Sequence, residues 1–265
     1  MIDALVAAVR EVAHAEILPR AKLVRGERKQ DGSLFSEADT AAQAALIARL
    51  RALRDCPVIG EEMTRDAQAA AWGAGTGAAW CVDPIDGTTN FLQGIPYYAV
   101  AVALIEDGRA RVGVVHNPAT GETFHAVAGG GAFHDDERIV PRQSPSRLAD
   151  AIVSLELKRL PRDAAVRLAG GLPWYSYRNF GAAALDWCWL ALGRFDAYLH
   201  ASHMLWDYAA GSLVLSEAGG AMSTFEQDDF FAGPPWAKSV IASRDPRLFT
   251  EWRDYVRAQL CDARA

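Results

Sequence analysis

The segment Trp80-Cys81-Val82-Asp83-Pro84-Ile85-Asp86-Gly87-Thr88-Thr89-Asn90-Phe91 sets two carboxylates beside a glycine and two threonines. Pro84 fixes its own φ and biases Asp83 towards extended backbone, so the spacing predicts a turn at a strand end that brings Asp86 back towards Asp83. Gly87 permits close backbone approach. The N–H groups of Gly87, Thr88 and Thr89, if they open a helix, face an anion with the helix dipole behind them. Hard divalent cations such as Mg2+ take oxygen ligands, so carboxylates beside such a turn suit a metal-bridged phosphate. Taken alone, the same residues also suit a strand-end turn in which Asp and Thr serve as caps.

Other acids can join them. Glu61 and Glu62 end a short apolar run, and Asp207 lies just inside a helix start at Trp206-Asp207-Tyr208-Ala209-Ala210-Gly211, which together supply the ligands a multi-metal site needs. Individually these are ordinary positions, a solvated strand-end pair and a helix cap. Competing chemistries fail on particular residues. A calcium loop starting at Asp83 would need an acid at its twelfth position, where Gly94 stands. A phospho-aspartyl pattern would need an acid at Ile85. No Walker A, HExxH or GxSxG sequence occurs. Gly73, Gly75 and Gly77 precede a strand instead of following one, unlike a dinucleotide loop.

Positioning these groups takes a scaffold that the patterns outline. Apolar residues at helical spacing predict a helix over 2–18 ended by Pro19, then a loop through Arg25–Ser33 and a second helix from Asp39 to Leu53. Cys56–Gly60 and Ala79–Val82 read as strands delivering Glu61 and Asp83, with an Ala/Gly-rich loop over 67–77 between them. Tyr97–Ile105 and Ala110–His116 read as a hairpin, continued by a strand within Gly121–Ala128. The Pro/Ser/Arg-rich segment 141–148 predicts a boundary near 145. Residues 1–145 then form an N-terminal half with most of the acids, and residues 146–265 a half carrying Asp207. Within the latter, strands are expected at 151–155, 195–199 and 239–242, and helices at 181–192 and 208–218, the last closed by Gly219-Gly220.

The 265 residues carry a net charge of −6 and no run of five Lys or Arg, which argues against nucleic acid or anionic lipid as partner. A small anionic molecule, met by metal-borne positive charge, is the expected partner. Neither a basic segment ahead of an apolar core nor eighteen consecutive apolar residues occurs, so no signal peptide or membrane span is expected. Cys56, Cys81, Cys188 and Cys261 lack CxxC spacing and read as buried thiols in a reducing cytoplasm. Trp187, Cys188 and Trp189 read as core or dimer contact, and His116, His125 and His134 as histidines without carboxylate partners or metal.

Gly60-Glu61-Glu62, the Asp83–Thr88 segment, and Trp206-Asp207 with Ala209-Ala210-Gly211 and Glu217-Ala218-Gly219-Gly220 resemble, in order, three motifs of the inositol monophosphatase family, within the fructose-1,6-bisphosphatase-like superfamily. The match covers nearly the whole chain. It implies an α+β, α/β layered αβαβα sandwich, usually a homodimer, with the active site between the two halves. It further implies Mg2+-dependent, Li+-sensitive hydrolysis of a small phosphate monoester in the cytoplasm, with two or three ions per site and no phosphoenzyme. By the same resemblance Glu61, Asp83 and the Ile85 carbonyl hold a first metal, while Asp83, Asp86 and Asp207 hold a second. Thr88 and Asp39 resemble the pair that orients and deprotonates the attacking water, with Glu61 contacting that water or a third metal. Gly87 and Thr88 would meet the phosphate, and Gly181, Ala182 and Ala183 the substrate. Arg178 would serve the dimer interface, and Lys29 corresponds loosely to a mobile-loop lysine. His200 stands where inositol-preferring members carry a hydroxyl-binding Glu, so it would bind another polyol, a sugar or a second charged group, or fill a strand end. Histidinol phosphate, fructose 1,6-bisphosphate, a 3′-phosphoadenylate nucleotide and NADP therefore stand beside inositol phosphate as substrates. A regulatory or RNA-associated protein on the same fold is the alternative class.

Overall fold

The computed structural model describes residues 1–21, 27–28, 34–75, 77–140 and 145–261; of residues 27, 28, 34, 35 and 261 it describes the backbone only. The expected Lys29 position and most of the 25–33 loop lie outside the described residues. The chain opens with α1 (Ile2–Val12), continued by a π-helical turn over Ala13–Ile17. A two-stranded ribbon follows, β1 (Glu27–Arg28) with β2 (Leu34–Phe35), and then α2 (Glu37–Leu53). A seven-stranded sheet uses β3 (Val58–Gly60), β4 (Ala78–Asp86), β5 (Ala99–Glu106), β6 (Arg109–His116), β7 (Thr123–Val127), β8 (Gly131–His134) and β9 (Glu137–Arg138) in that spatial order. Between its first strands lie α3 (Arg65–Trp72) and α4 (Thr88–Gln93).

A five-stranded sheet follows, from β10 (Ile152–Glu156), β11 (Ser176–Arg178), β12 (Ala197–Met204), β13 (Ala221–Ser223) and β14 (Ala237–Ser243), in the spatial order β11-β10-β12-β14-β13. Its helices are α5 (Arg162–Gly171), α6 (Ala183–Leu192), α7 (Leu205–Glu217) and α8 (Pro246–Cys261).

Strand periodicity assigns each face. Along β5, Val100, Val102 and Leu104 pack on α1 and α2, while Ala99, Ala101 and Ala103 face α6 and α7. Along β14, Val240 and Ala242 face that same helix pair, while Ile241 turns outward to α5 and α8 with Leu168, Leu248 and Trp252. The result is the αβαβα sandwich, with α6 and α7 as its middle layer. Small residues let that layer sit close: a Cβ on Gly113 of β6 would lie 3.0 Å from the Ala210 carbonyl oxygen of α7.

Two local expectations are corrected. Residues 65–72 form α3 where a loop was expected, because Thr64 caps the turn by accepting from the Ala67 N–H at 3.3 Å and alanines then propagate it. Strand β4 does not end at Asp83-Pro84 but runs on to Asp86. Asp83 pairs with Ala101 and Asp86 with Ala99, so three steps on β4 oppose two on β5 and one residue is extra. In a regular strand, residues three apart point to opposite faces. The bulge cancels that parity. Ile85 turns to the layer that holds Trp80 and Val82, and Asp86 joins Asp83 on the side of the middle helices.

Candidate active site

Four acids reach one cleft from four places in the fold. Glu61 directly follows β3, where its N–H donates to the Val82 carbonyl of β4 at 3.2 Å. Asp83 Oδ1 accepts from the Ile85 N–H at 3.1 Å within the bulge. Asp86 accepts from the Ala183 and Ala184 N–H groups at 3.1 and 2.7 Å, at the positive end of α6. Asp207, third residue of α7, accepts from the Met204 N–H at 2.8 Å through Oδ2. The helix-cap role weighed for Asp207 is therefore real, and it coexists with membership of the cluster.

Asp83, Asp86 and Asp207 each offer an oxygen, and the three oxygens lie within 4.8 Å of one another. Burial holds all three carboxyls above their usual range. Mutual repulsion adds to it, and so does the charge of Glu61. Three converging carboxylates strongly favour a cation. The donors are oxygens throughout, which fits a hard divalent ion such as Mg2+ and not a thiolate- or imidazole-seeking one. The carbonyl of Ile85, also in the cleft lining, accepts from the Thr88 hydroxyl at 3.1 Å.

Asp39, in the first turn of α2, is fully buried. Its Oδ2 accepts from both the N–H and the hydroxyl of Ser36 at 2.7 Å, whereas its Oδ1 has no hydrogen-bond partner among the described residues. Burial, aided by Glu62 and Glu61, pushes its carboxyl up to about 7. Among the described residues no hydrogen bond joins Thr88 to Asp39. From the first residue of α4 the Thr88 hydroxyl instead turns back to the carbonyl three residues before it, a local bond open to any helix-start threonine.

Gly87 caps α4 at φ 85°, and a Cβ there would lie 2.9 Å from the Ala182 Cβ. Gly181, Ala182 and Ala183 line the cleft as expected, but the Ala183 N–H is already engaged by Asp86. The cleft, about 390 Å³, also takes in His200, Ser202, Glu156, Lys158, Arg159 and Asn179. His200 Nδ1 accepts from the Ser202 N–H at 3.2 Å, and burial pushes its pKa down to about 4, so the ring is neutral.

Two residues of the site escape sequence reading. Asp186 lies buried on α6, lines the cleft, accepts from the Tyr97 hydroxyl at 2.8 Å and is pushed up to about 7 by burial. Its signal was a lone acid inside an otherwise apolar helix. Asn90 donates to the carbonyls of Tyr97 at 2.8 Å and Phe180 at 2.7 Å, fastening α4 to the segment before α6. Away from the cleft, His134 does have a carboxylate partner, Glu122 at 3.1 Å, because β7 and β8 pair beside the 117–122 turn. Cys56, Cys81 and Cys188 are free and buried, and no helix among the described residues is long and apolar enough to cross a membrane.

The profile of the inositol monophosphatase family matches residues 1–259. The chain belongs to that family. An inositol-1-monophosphatase of Mesorhizobium japonicum is 36% identical over 203 residues, covering 75% of this chain and 74% of that protein. A Nus factor SuhB of Haemophilus influenzae is 31% identical over 267 residues, covering 97% and 96%. Among solved structures, the extragenic suppressor protein suhB of Bartonella henselae superposes with a TM-score of 0.84 at 29% identity, covering 96% of this chain and 97% of that one. The IMPase of Thermotoga maritima also gives 0.84, at 26% identity and 99% and 98% coverage. The family fold is thus the layered sandwich described above, and the cleft lies where its two sheets and the middle helices meet.

Proposed function

We propose that this family member is a Mg2+-dependent hydrolase of a small phosphate monoester, working without a phosphoenzyme. The supporting observation is the convergence of Asp83, Asp86 and Asp207 within 4.8 Å on the side of the bulge that faces α6 and α7. Glu61, Asp83 and the Ile85 carbonyl would hold one ion, and Asp83, Asp86 and Asp207 a second, with Glu61 also placed for the water or a third. When bound, Mg2+ supplies Lewis acidity for water activation and charge neutralisation at the phosphoryl and leaving-group oxygens.

The chain's own groups do the rest. Gly87 and Thr88, at the start of α4, present backbone N–H groups to the phosphate. Asp86, fixed by two N–H groups of α6, keeps its position as charge at the site changes. Asp39 Oδ1 is the acceptor left for the proton of the attacking water, relayed through Thr88, and a carboxyl near 7 matches that task at neutral pH. Gly181, Ala182 and His200 line the path of the leaving alcohol.

Phosphate release from a panel of esters, with and without Mg2+ and Li+, tests this reading. Asp207→Asn keeps an oxygen for the Met204 N–H but removes a charge from the cluster, so turnover should fall by roughly three orders of magnitude or more while the fold survives. Near-normal kcat in a folded Asp207→Asn protein would sink the assignment. Similarity to Nus factor SuhB over almost the whole chain supports a second reading, a regulatory or RNA-associated role. Retention on RNA or RNA polymerase with no Mg2+-dependent phosphate release would favour it, and the net charge of −6 counts against it.

A further inference from the structure

The acidic cluster does not account for the rim of its own cleft. Lys158 and Arg159 follow β10, are exposed and line the opening. Among the described residues neither side chain has a hydrogen-bond, ion-pair or ring partner, although the chain as a whole is acidic. Glu156, two residues before Lys158, also lines the cleft. Glu156 Oε1 accepts from the Lys158 N–H at 2.6 Å and Oε2 accepts from the Asn179 side-chain amide at 3.1 Å, so both oxygens are bonded to neutral donors and neither is paired with the Lys158 or Arg159 side chain. Parallel pairing of β10 with β12 sets His200 opposite Glu156, and its Nδ1 is taken by the Ser202 N–H, which leaves Nε2–H as a neutral donor. The charge of Arg159 is felt at His200 and at Asp207, so it lies within Coulomb reach of the acidic cluster.

We propose that the substrate is a phosphate monoester whose alcohol carries a second anionic group, phosphate or carboxylate, which Lys158 and Arg159 hold at the rim. The inference rests on the phosphatase reading above and deepens it. One phosphate goes to the carboxylate end, where bound metal would offset its charge, and the other anion meets two cations that have no hydrogen-bond or ion-pair partner among the described residues. A neutral polyol leaves that pair unanswered, and an ammonium-bearing alcohol is repelled by it. Asn179 and His200 offer hydrogen bonds to hydroxyls in between.

Two matched pairs of esters distinguish the sources of the second charge: fructose 1,6-bisphosphate against fructose 1-phosphate, and 2-phosphoglycerate against glycerol 2-phosphate. The holoenzyme is expected to prefer the doubly anionic member of at least one pair by roughly 10-fold in kcat/KM, chiefly through KM, and to lose that preference near 0.5 M NaCl. The double variant Lys158→Ser/Arg159→Ser should bring the ratio towards one, and Arg159→Lys should keep it. Comparing ratios cancels whatever the lost charge does to the acidic cluster. Hydrolysis of all four esters with equal kcat/KM within each pair, or a preference that survives the double variant, overturns this inference alone. Hydrolysis of other esters of the panel but none of these four also overturns the inference alone, whereas hydrolysis of no ester at all overturns the phosphatase reading, and the inference falls with it.

Discussion

Asp39→Asn should move stability and activity in opposite directions. The Asp39 carboxyl is pushed from an ordinary 3.8 to about 7, mainly by burial, with Glu62 and Glu61 adding repulsion. A carboxyl raised in this way binds its proton more tightly in the folded chain than in the unfolded one. Its contribution is therefore most favourable below pH 4 and is lost as pH rises through about 7. Across that window the shift amounts to about 4 kcal/mol against the metal-free wild type at neutral pH. Asparagine avoids the loss and can still accept from the Ser36 N–H through its oxygen. Its amide nitrogen would take the place of Oδ1, which has no partner among the described residues, at a cost of about 1 kcal/mol. In EDTA at pH 8 the variant should thus gain about 3 kcal/mol, or roughly 5–10 °C in Tm for a chain of this length. At pH 4 the gain should vanish. In Mg2+ its turnover should fall by roughly 100-fold or more, since the proton acceptor has gone. Thermal melts at both pH values and a phosphate-release assay decide the matter. A Tm at pH 8 no higher than wild type, or an equal gain at both pH values, refutes the reasoning.

Gly87→Ala meets both a left-handed φ of 85° and a Cβ contact of 2.9 Å with Ala182, so urea melts should show a loss of about 2–3 kcal/mol together with lower kcat. An unchanged midpoint would show that the α4–α6 approach is looser than described. His116 runs opposite to Asp39: burial, then Arg10, pushes it down to about 4 from 6.5. Its contribution is fully present above pH 6.5 and is lost as pH falls through 4, up to about 3 kcal/mol. His116→Gln, which keeps an acceptor for the Thr123 hydroxyl, should flatten that acid limb in urea melts at pH 7 and 5. Equal acid sensitivity in variant and wild type contradicts the account.

The acids were legible because their residue types and spacing carry chemistry whatever their surroundings, and Glu61, Asp83, Asp86 and Asp207 do meet at one cleft. The way Asp83 and Asp86 meet was not. A proline turn was the natural reading of Asp-Pro-Ile-Asp, whereas the register against β5 that creates the bulge belongs to a partner strand about fifteen residues away and has no local signature. Helix α7 is buried almost all round, so it lacks the amphipathic rhythm that exposes a surface helix, and its Ala/Gly content had to serve instead. Asp186 finds Tyr97 across 89 residues of sequence, a contact that no window reveals. In α3 the capping threonine outweighed the glycines beyond it, which made an Ala-rich stretch helical where its composition suggested a loop.

The extra residue in β4 makes this site depend on register before it depends on composition. If β4 paired with β5 residue for residue from Asp83 onward, without the bulge, the plain alternation of the strand would return. Asp86 would then turn into the layer built from Trp80, Val82 and Val100, and Ile85 would take its place beside Asp83. A chain paired in that way keeps every acid in its sequence and loses the constellation. A motif match at Asp83–Asp86 therefore reports the same site only where the partner strand imposes the same bulge.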